Sequence, residues 1–361
     1  MGPQHPGVTG NMAIQIWMSG DEIQRGMTHI GYLHRGFEKL MERRLFIQAH
    51  PIVCRMCVAE PDTTEYLISA GLEELGGIEV PQRGVWLRML NMEMARMGSL
   101  LHQMGGVAGG TGLGIMGNWM YVLRDYMLDR FEELTGARVY HMYSTFGGVR
   151  RDLPPGFNDR MEGTLQQIEE RLPFVDNLLF DSFVWQQRTQ GISVIPKDII
   201  DAYGITGPAA RACGVKKDTR RDFPYLAYDE LEFETITATN GDIFDRAWVR
   251  RQEIQQGCDL IRTILKRLET ISGPFSAKLP NMLTWRIPKG QTYVRAESSR
   301  GEMGYYIVTD GTDKMRRIHL RGASYTLAFP VLERHLLPGM NISDLHATLV
   351  SLPTCPPELE R

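Results

Sequence analysis

The chain has 361 residues, with 43 acidic against 40 basic side chains and a formal net charge of −3. That balance gives no basic surface for nucleic acid or anionic lipid, so neither is expected as a partner. Five cysteines at irregular spacing argue against a disulfide framework and for a reducing compartment. No run of about 18 apolar residues occurs, so no bilayer-spanning segment is expected. The stretch Met1–Gly7 has neither the basic nor the apolar region of a secretory signal. A chain of this length can bury a large core, either as two domains or as one large domain with a smaller lobe.

In chain order, Ala13 to Met18 alternates between Gly10 and Gly20 and reads as a short strand. From His34 to Gln48 the pattern turns helical. A second helix covers Thr63 to Leu75 and stops at Gly76-Gly77, the usual C-terminal punctuation. Pro81 opens a long helix in which Leu87, Leu90, Met94, Met97, Leu101 and Met104 recur at helical spacing. The glycine-rich stretch Gly105 to Gly117 reads as a loop where helices pack closely. It is neither a P-loop nor a dinucleotide fingerprint, because no strand precedes it and no Gly-Lys-Ser/Thr follows. Helices are expected over Trp119 to Leu134 and Met161 to Arg171, then a proline- and glycine-punctuated segment from Ile192 to Tyr228. A further long helix spans Phe244 to Leu268.

After Pro280 the character changes. Thr292 to Ala296, Tyr305 to Thr309 and Arg317 to Arg321 read as strands, and Ser343 to Leu352 as a last helix. The expected fold class is α+β: a mainly helical body over residues 33–284 with a small β-rich lobe from both chain ends, roughly 1–32 and 285–330. The chain holds 20 methionines, clustered between Met89 and Met127, which read as adaptable core packing or as a soft chamber lining.

Two cysteine segments carry potential chemistry: Cys54-Arg55-Met56-Cys57-Val58-Ala59-Glu60 and Cys355-Pro356-Pro357-Glu358. Cys54 and Cys57 have the spacing at which two thiolates meet one metal or form a redox disulfide. Cys57 with Glu60, and Cys355 with Glu358, each offer one soft and one hard ligand at a separation that can face one point. Glu38, on an apolar helix, reads either as a surface carboxylate paired with Lys39 or Arg35 or as a buried proton carrier. The run Glu297 to Glu302 reads as a polar turn, or as a turn that holds Arg300 against an active-site group.

Several segments together resemble a known family. They are Gly2-Pro3-Gln4-His5-Pro6, His29 to Leu40, Gly147-Gly148-Val149-Arg150-Arg151-Asp152-Leu153-Pro154, Arg211 to Val215, Asn240 to Arg246 and Glu297 to Tyr306. In order, they are similar to the D (49-kilodalton) subunit of complex I and the large subunit of membrane-bound nickel–iron hydrogenases. The resemblance covers nearly the whole chain. It implies the hydrogenase-large-subunit fold and a catalytic chamber at the interface with a small iron–sulfur subunit, similar to the B subunit of complex I. Further implied partners are a protein similar to the C subunit and the membrane-arm subunits, which place the chain on the cytoplasmic side of a cell membrane.

The departures narrow the chemistry that the resemblance implies. The quinone-binding histidine of the complex I branch falls on Thr9, in the same opening motif as His5, and its companion tyrosine falls on Val58. Of the two hydrogenase Cys-x-x-Cys pairs, one becomes Cys57 with Glu60 and the other Cys355 with Glu358, leaving Cys54 outside the pattern. A nickel–iron centre is therefore not expected, nor an iron–sulfur cluster within the chain itself. The chain ends at Arg361, so no C-terminal extension of the kind removed in hydrogenase maturation is expected. These residues imply a large subunit of an ion-translocating respiratory redox complex, with Cys57 and Cys355 as thiol redox groups or as ligands, with Glu60 and Glu358, of a different metal. Glu38 would be the first proton carrier, and Arg55 and Arg300 would line or order the chamber. Quinone reduction and a purely coupling role are the alternatives.

Overall fold

The computed structural model describes residues 1–4, 11–352 and 354–361. The chain opens with an antiparallel hairpin, β1 (Ala13–Ser19) and β2 (Glu22–His29), followed by α1 (Phe37–Glu42), α2 (Phe46–Val53) and α3 (Pro61–Gly76). The long helices α4 (Gln82–Gly110) and α5 (Gly114–Thr135) come next. A two-stranded pair, β3 (Ser144–Thr145) and β4 (Gly148–Val149), precedes α6 (Phe157–Val175). Short helices α7 (Phe183–Gln187), α8 (Ile199–Ala202), α9 (Gly207–Ala212) and α10 (Thr219–Asp222) lead to α11 (Ile243–Thr270). The last third holds β5 (Gly290–Ser298), β6 (Gly301–Thr309), β7 (Met315–Arg321), α12 (Ser324–Thr326), α13 (Leu345–Ser351) and α14 (Pro356–Glu360).

The helix limits follow from local chemistry. Pro61 sits at the start of α3, where its missing N–H costs nothing, and Gly77 ends it in a left-handed conformation with φ 66°. Asp242 caps α11 by accepting from the Asp245 amide at 2.8 Å. The single helix expected over His34 to Gln48 is two helices. Gly36 takes φ 63°, delaying the start to Phe37, and Leu45 pairs its backbone with Lys314, which interrupts the run. Gly105 to Gly117 is not one loop either: α4 continues through Gly110. The close packing is real, since a Cβ on Gly105 would stand 2.7 Å from the Tyr121 ring and one on Gly117 would stand 2.9 Å from the Gly105 carbonyl.

Among the described residues, the two chain ends supply strands but no shared sheet. The β1–β2 hairpin forms one sheet, and β5-β6-β7 forms another. Met12, Ile14 and Ile23 of the N-terminal end pack with Leu327, Val331 and Leu332, whereas the three-stranded sheet packs on α1, α2 and α3 through Ala296, Tyr305 and Ile307. The main helical core is built on α4, α5, α6 and α11. There Met89, Met94, Met97, Met104, Met116, Met120 and Met127 are enclosed among Leu87, Leu101 and Ile261, so these methionines fill the core. Burying each such side chain contributes about 1.5–3 kcal/mol.

The other side of α4 is equally buried and is polar. Arg88 binds Glu73 at 2.6 Å, Asn91 binds Asp62, Arg96 binds Glu253 and Glu93 binds Arg220. Glu253 of α11 also holds Arg211, which reaches on to Glu297 at 2.8 Å. Buried charges persist only when paired in this way. The network joins α4, α9 and α11 to the end of β5, where Ser298 is followed by Ser299 and Arg300.

Candidate functional site

Cys57 lies in the loop after α2 and is wholly buried, with 0% exposure. Its sulfur accepts from the Glu60 amide at 3.3 Å and from the Arg300 guanidinium at 2.6 Å. Arg300 occupies the tight turn between β5 and β6, where Ser298 pairs with Gly301. The Ser298 hydroxyl accepts from the Arg300 amide at 3.2 Å and donates to the Gly301 carbonyl at 2.8 Å, fixing the turn. Gly301 has φ 130°, and Gly207 at the start of α9 has φ 73°. A Cβ at Gly207 would fall on the Arg300 carbonyl and Gly301 Cα, so that glycine lets the turn seat against α9.

Cys355 arrives from the opposite end of the chain. Ser351, just before it, is gripped by α11: Arg250 donates to its carbonyl at 2.7 Å and Arg246 to its hydroxyl at 2.8 Å. The Cys355 amide donates to the Ser324 hydroxyl at 3.0 Å, and the Ser324 amide donates to Glu358 Oε1 at 2.9 Å. Glu358 sits in the first turn of α14, which carries its carboxylate back beside Cys355. The two sulfurs and a Glu358 oxygen lie within 4.8 Å of one another.

Arg300 is the centre of this cluster. Besides Cys57 it lies 3.4 Å from Glu60 Oε2 and, through Nε, 3.5 Å from Glu358 Oε2. Burial works against its charge, but Cys57, Glu60, Cys355 and Glu358 outweigh burial and raise its pKa. The Glu60 carboxylate takes the Ser299 amide at 2.9 and 3.1 Å, and burial pushes its pKa up to about 7 against the pull of Arg300. Ser299 is in turn held by Ser99 at 2.8 Å and Gln103 at 2.6 Å, both from α4. The proximity of the two thiols raises the pKa of Cys57, with burial adding, and lowers that of Cys355 against its own burial. Cys355 is 9% exposed, whereas Cys57 is closed off. The pair is therefore an asymmetric dithiol: a more acidic sulfur at Cys355 beside the enclosed, less acidic one of Cys57.

Cys54 does not join it. Its thiol donates to the Pro51 carbonyl at 3.3 Å, and burial, with Glu65 adding, pushes its pKa up to about 12. Arg55 does not touch the thiol pair. Its exposed guanidinium binds the Pro51 carbonyl at 2.7 Å and Cys54 at 2.9 Å, and lies 5.5 Å from the Tyr140 ring centre. Val58 is exposed and offers no hydrogen-bonding group, and His5 and Thr9 lie outside the described residues. Glu38 is half-buried and pairs with neither Lys39 nor Arg35. It binds Arg317 at 2.9 Å and accepts from the Leu320 amide at 2.9 Å, with His319 at 3.3 Å, while Lys39 pairs with Glu42. Of the four metal-ligand candidates, Cys57, Cys355 and Glu358 converge, and Glu60 faces Ser299 and Arg300 instead. Ser324 and Gly207 are not legible in the sequence as site residues, since an isolated serine and glycine carry no spacing signal.

The α+β chain thus brings Cys57 and Cys355, from opposite ends of the sequence, together beside the buried Arg300. A family model described as the respiratory-chain NADH dehydrogenase 49 Kd subunit matches residues 112–361. The D subunit of NADH-quinone oxidoreductase from Thermosipho melanesiensis is 41% identical over 362 residues, spanning 100% of this chain and 98% of that one. The D subunit of F(420)H(2) dehydrogenase from Methanosarcina mazei is 33% identical, spanning 100% and 96%. Among solved structures, a chain of the membrane-bound sulfane sulfur reductase, an archaeal respiratory membrane complex, superposes with a TM-score of 0.95 at 38% identity. That match covers 100% of this chain and 97% of the other. The chain belongs to the 49-kilodalton-subunit family and is an oxidoreductase subunit of complex I type. Among the described residues, no helix is long and apolar enough to cross a membrane.

Proposed function

We propose that this chain is the large subunit of an ion-translocating respiratory complex that delivers electrons to a sulfur-containing acceptor at Cys57 and Cys355. The carrying observation is the asymmetric dithiol held on Arg300. The Cys355 thiolate attacks a sulfur–sulfur bond of the acceptor, expelling one half as a thiolate. Cys57 then attacks Cys355, releasing the other half and closing a Cys57–Cys355 disulfide. Two electrons, supplied one at a time by an iron–sulfur cluster in a small B-like subunit, with two protons, restore the thiols. Arg300 stabilises the thiolate at each stage. The likeness to the sulfane sulfur reductase supports this acceptor class.

The residues do not match the four-thiolate set of a nickel–iron centre: two thiols converge in place of four, and a guanidinium joins Cys57 to the Glu60 and Glu358 carboxylates. Docking on neighbouring subunits, including C-like and membrane-arm partners on the cytoplasmic side, agrees with the exposed apolar residues. Ile115, Phe183 and Val184 are the most exposed of these, at 76%, 72% and 69%.

The test is turnover of the assembled complex carrying Cys57→Ala or Cys355→Ala. Loss of sulfur-dependent turnover in both, with assembly intact, is the expected result, and retained turnover overturns the reading. Quinone reduction, suggested by the names of several relatives, predicts quinone-dependent turnover that survives both substitutions.

A further inference from the structure

Two arginines of α11 differ from the other buried guanidiniums. Arg88, Arg96, Arg211 and Arg220 each pair with a carboxylate. Arg246 and Arg250 lie one turn apart and are wholly enclosed. Among the described residues, their hydrogen bonds all go to carbonyls and serine hydroxyls. Burial pulls the Arg246 pKa down to about 10, and burial with Arg246 beside it pulls that of Arg250 down to about 9, so both stay charged at neutral pH. Neighbouring buried cations with neutral partners are costly, and an apolar side chain of similar size would pack there at lower cost. Both guanidiniums reach Ser351, the last residue of α13. Arg250 meets its carbonyl at 2.7 Å and Arg246 its hydroxyl at 2.8 Å, and that hydroxyl donates to the Thr348 carbonyl at 2.7 Å. The pair thus closes the end of α13, where carbonyls lack helical partners and attract positive charge.

Cys355 follows that anchor four residues later and begins α14. That helix has five residues, too few to hold a position by its own hydrogen bonds. Its place comes from its attachments. Glu360 accepts from the Leu33 amide at 2.7 Å at the far end, Ser324 accepts from the Cys355 amide, and Ser351 is tied down on the near side. Cys57 is held separately, by the Glu60 amide and by Arg300. The two sulfurs lie within 4.8 Å. A disulfide needs them at about 2.05 Å with a narrow range of Cα separations, so closure depends on where the main chain of Cys355 is held. We propose that Arg250, assisted by Arg246, is a positioning residue for the thiol pair: by fixing Ser351 it sets how closely Cys355 is presented to Cys57, and so how stable the Cys57–Cys355 disulfide is. A planar guanidinium suits the task, because it serves two acceptors at once and keeps its charge when buried. Without it the effective concentration of one thiol at the other falls, and the disulfide loses stability against an external one. The inference rests on the reading of Cys57 and Cys355 as a redox pair, but not on which acceptor they reduce.

The experiment equilibrates the assembled complex in glutathione buffers of graded ratio. One glutathione disulfide takes two electrons from the two thiols, giving the Cys57–Cys355 disulfide and two molecules of reduced glutathione. Acid quenching, alkylation and mass spectrometry of the two peptides yield the equilibrium constant without any turnover. Arg250→Met is expected to lower that constant about tenfold, a rise of about 30 mV in reduction potential. Arg250→Lys, which keeps a charged donor for the Ser351 carbonyl, is expected to recover most of the loss. Ser351→Ala keeps the carbonyl and loses only the hydroxyl, and is expected to lower the constant about threefold. An assembled Arg250→Met complex with the wild-type constant overturns the proposal, as does a lysine variant no better than the methionine one. If the methionine variant does not assemble, Ser351→Ala decides, and a constant equal to wild type overturns the proposal. A wild-type complex in which no Cys57–Cys355 disulfide forms overturns it as well. Sulfur-dependent turnover is read separately in the cysteine variants, so failure of the proposed activity is told apart from failure of this inference.

Discussion

The guanidinium of Arg300 stands 2.6 Å from the sulfur of Cys57, across 243 residues of sequence, and is shared with Glu60 and Glu358. It neutralises a thiol pair and two carboxylates that would otherwise be buried together without a counter-charge. Its removal leaves those groups uncompensated. Arg300→Met is expected to destabilise the chain by about 3–5 kcal/mol, the usual cost of breaking a buried pair from one side. Urea unfolding of wild type and variant measures the difference. A loss under about 1 kcal/mol, in the range of ordinary surface substitutions, would show that the cluster does not depend on the arginine.

Gly207 supports the same turn from behind. It holds φ 73°, and a Cβ there would collide with backbone of Arg300 and Gly301. Gly207→Ala should cost about 3 kcal/mol or more, through strain and displaced backbone together. The thiols should also change: labelling of Cys355 should quicken as the turn lifts. Unchanged stability and labelling would mean that α9 yields without disturbing the site.

Glu38 separates a structural role from a functional one. Its ion pair is with Arg317, whose side chain is 41% exposed, so the pair is worth about 1 kcal/mol at most. Glu38→Gln keeps an acceptor for the Leu320 amide and should leave the melting temperature within a few degrees of wild type. If Glu38 carries protons in the complex, turnover falls several-fold all the same. Normal turnover in the variant removes Glu38 from the proton route.

His50 sets part of the acid sensitivity. It is buried against Ser69 at 3.2 Å, and burial, with Arg88 nearby, lowers its pKa to about 4. A folded-state pKa below the unfolded value of 6.5 means that the unfolded chain binds the proton more readily. The stability held above pH 6.5 is therefore lost as pH falls towards about 4, by about 3 kcal/mol. Urea unfolding across that range should show a steeper loss in wild type than in His50→Gln. Parallel curves for the two would contradict this assignment.

The sequence determined the elements whose signal is local. The stripe Leu87 to Met104 marks α4 because each of those side chains repeats on one face. Gly77 marks the end of α3 for a similar reason, since a left-handed glycine acts within one turn, whereas the helix starts at Pro61, two residues ahead of the expected Thr63. The break at Leu45 was not visible, because its cause is a backbone pairing with Lys314, far along the chain. The glycines of Gly105 to Gly110 look like a loop in one dimension and are helical because α5 crosses at that point.

The motifs named the residues of the site, but only the tertiary structure decided which of them meet. Cys54 and Cys57 share one loop and one local chemistry. Cys57 faces Arg300 and Cys355, while Cys54 turns to Pro51 and Arg55. Cys355 reaches the site because Arg246 and Arg250 hold Ser351 from another helix. Position along the chain fixes which groups are available. The partners that neutralise their charge and complete their hydrogen bonds come from distant segments, and burial makes those partners obligatory.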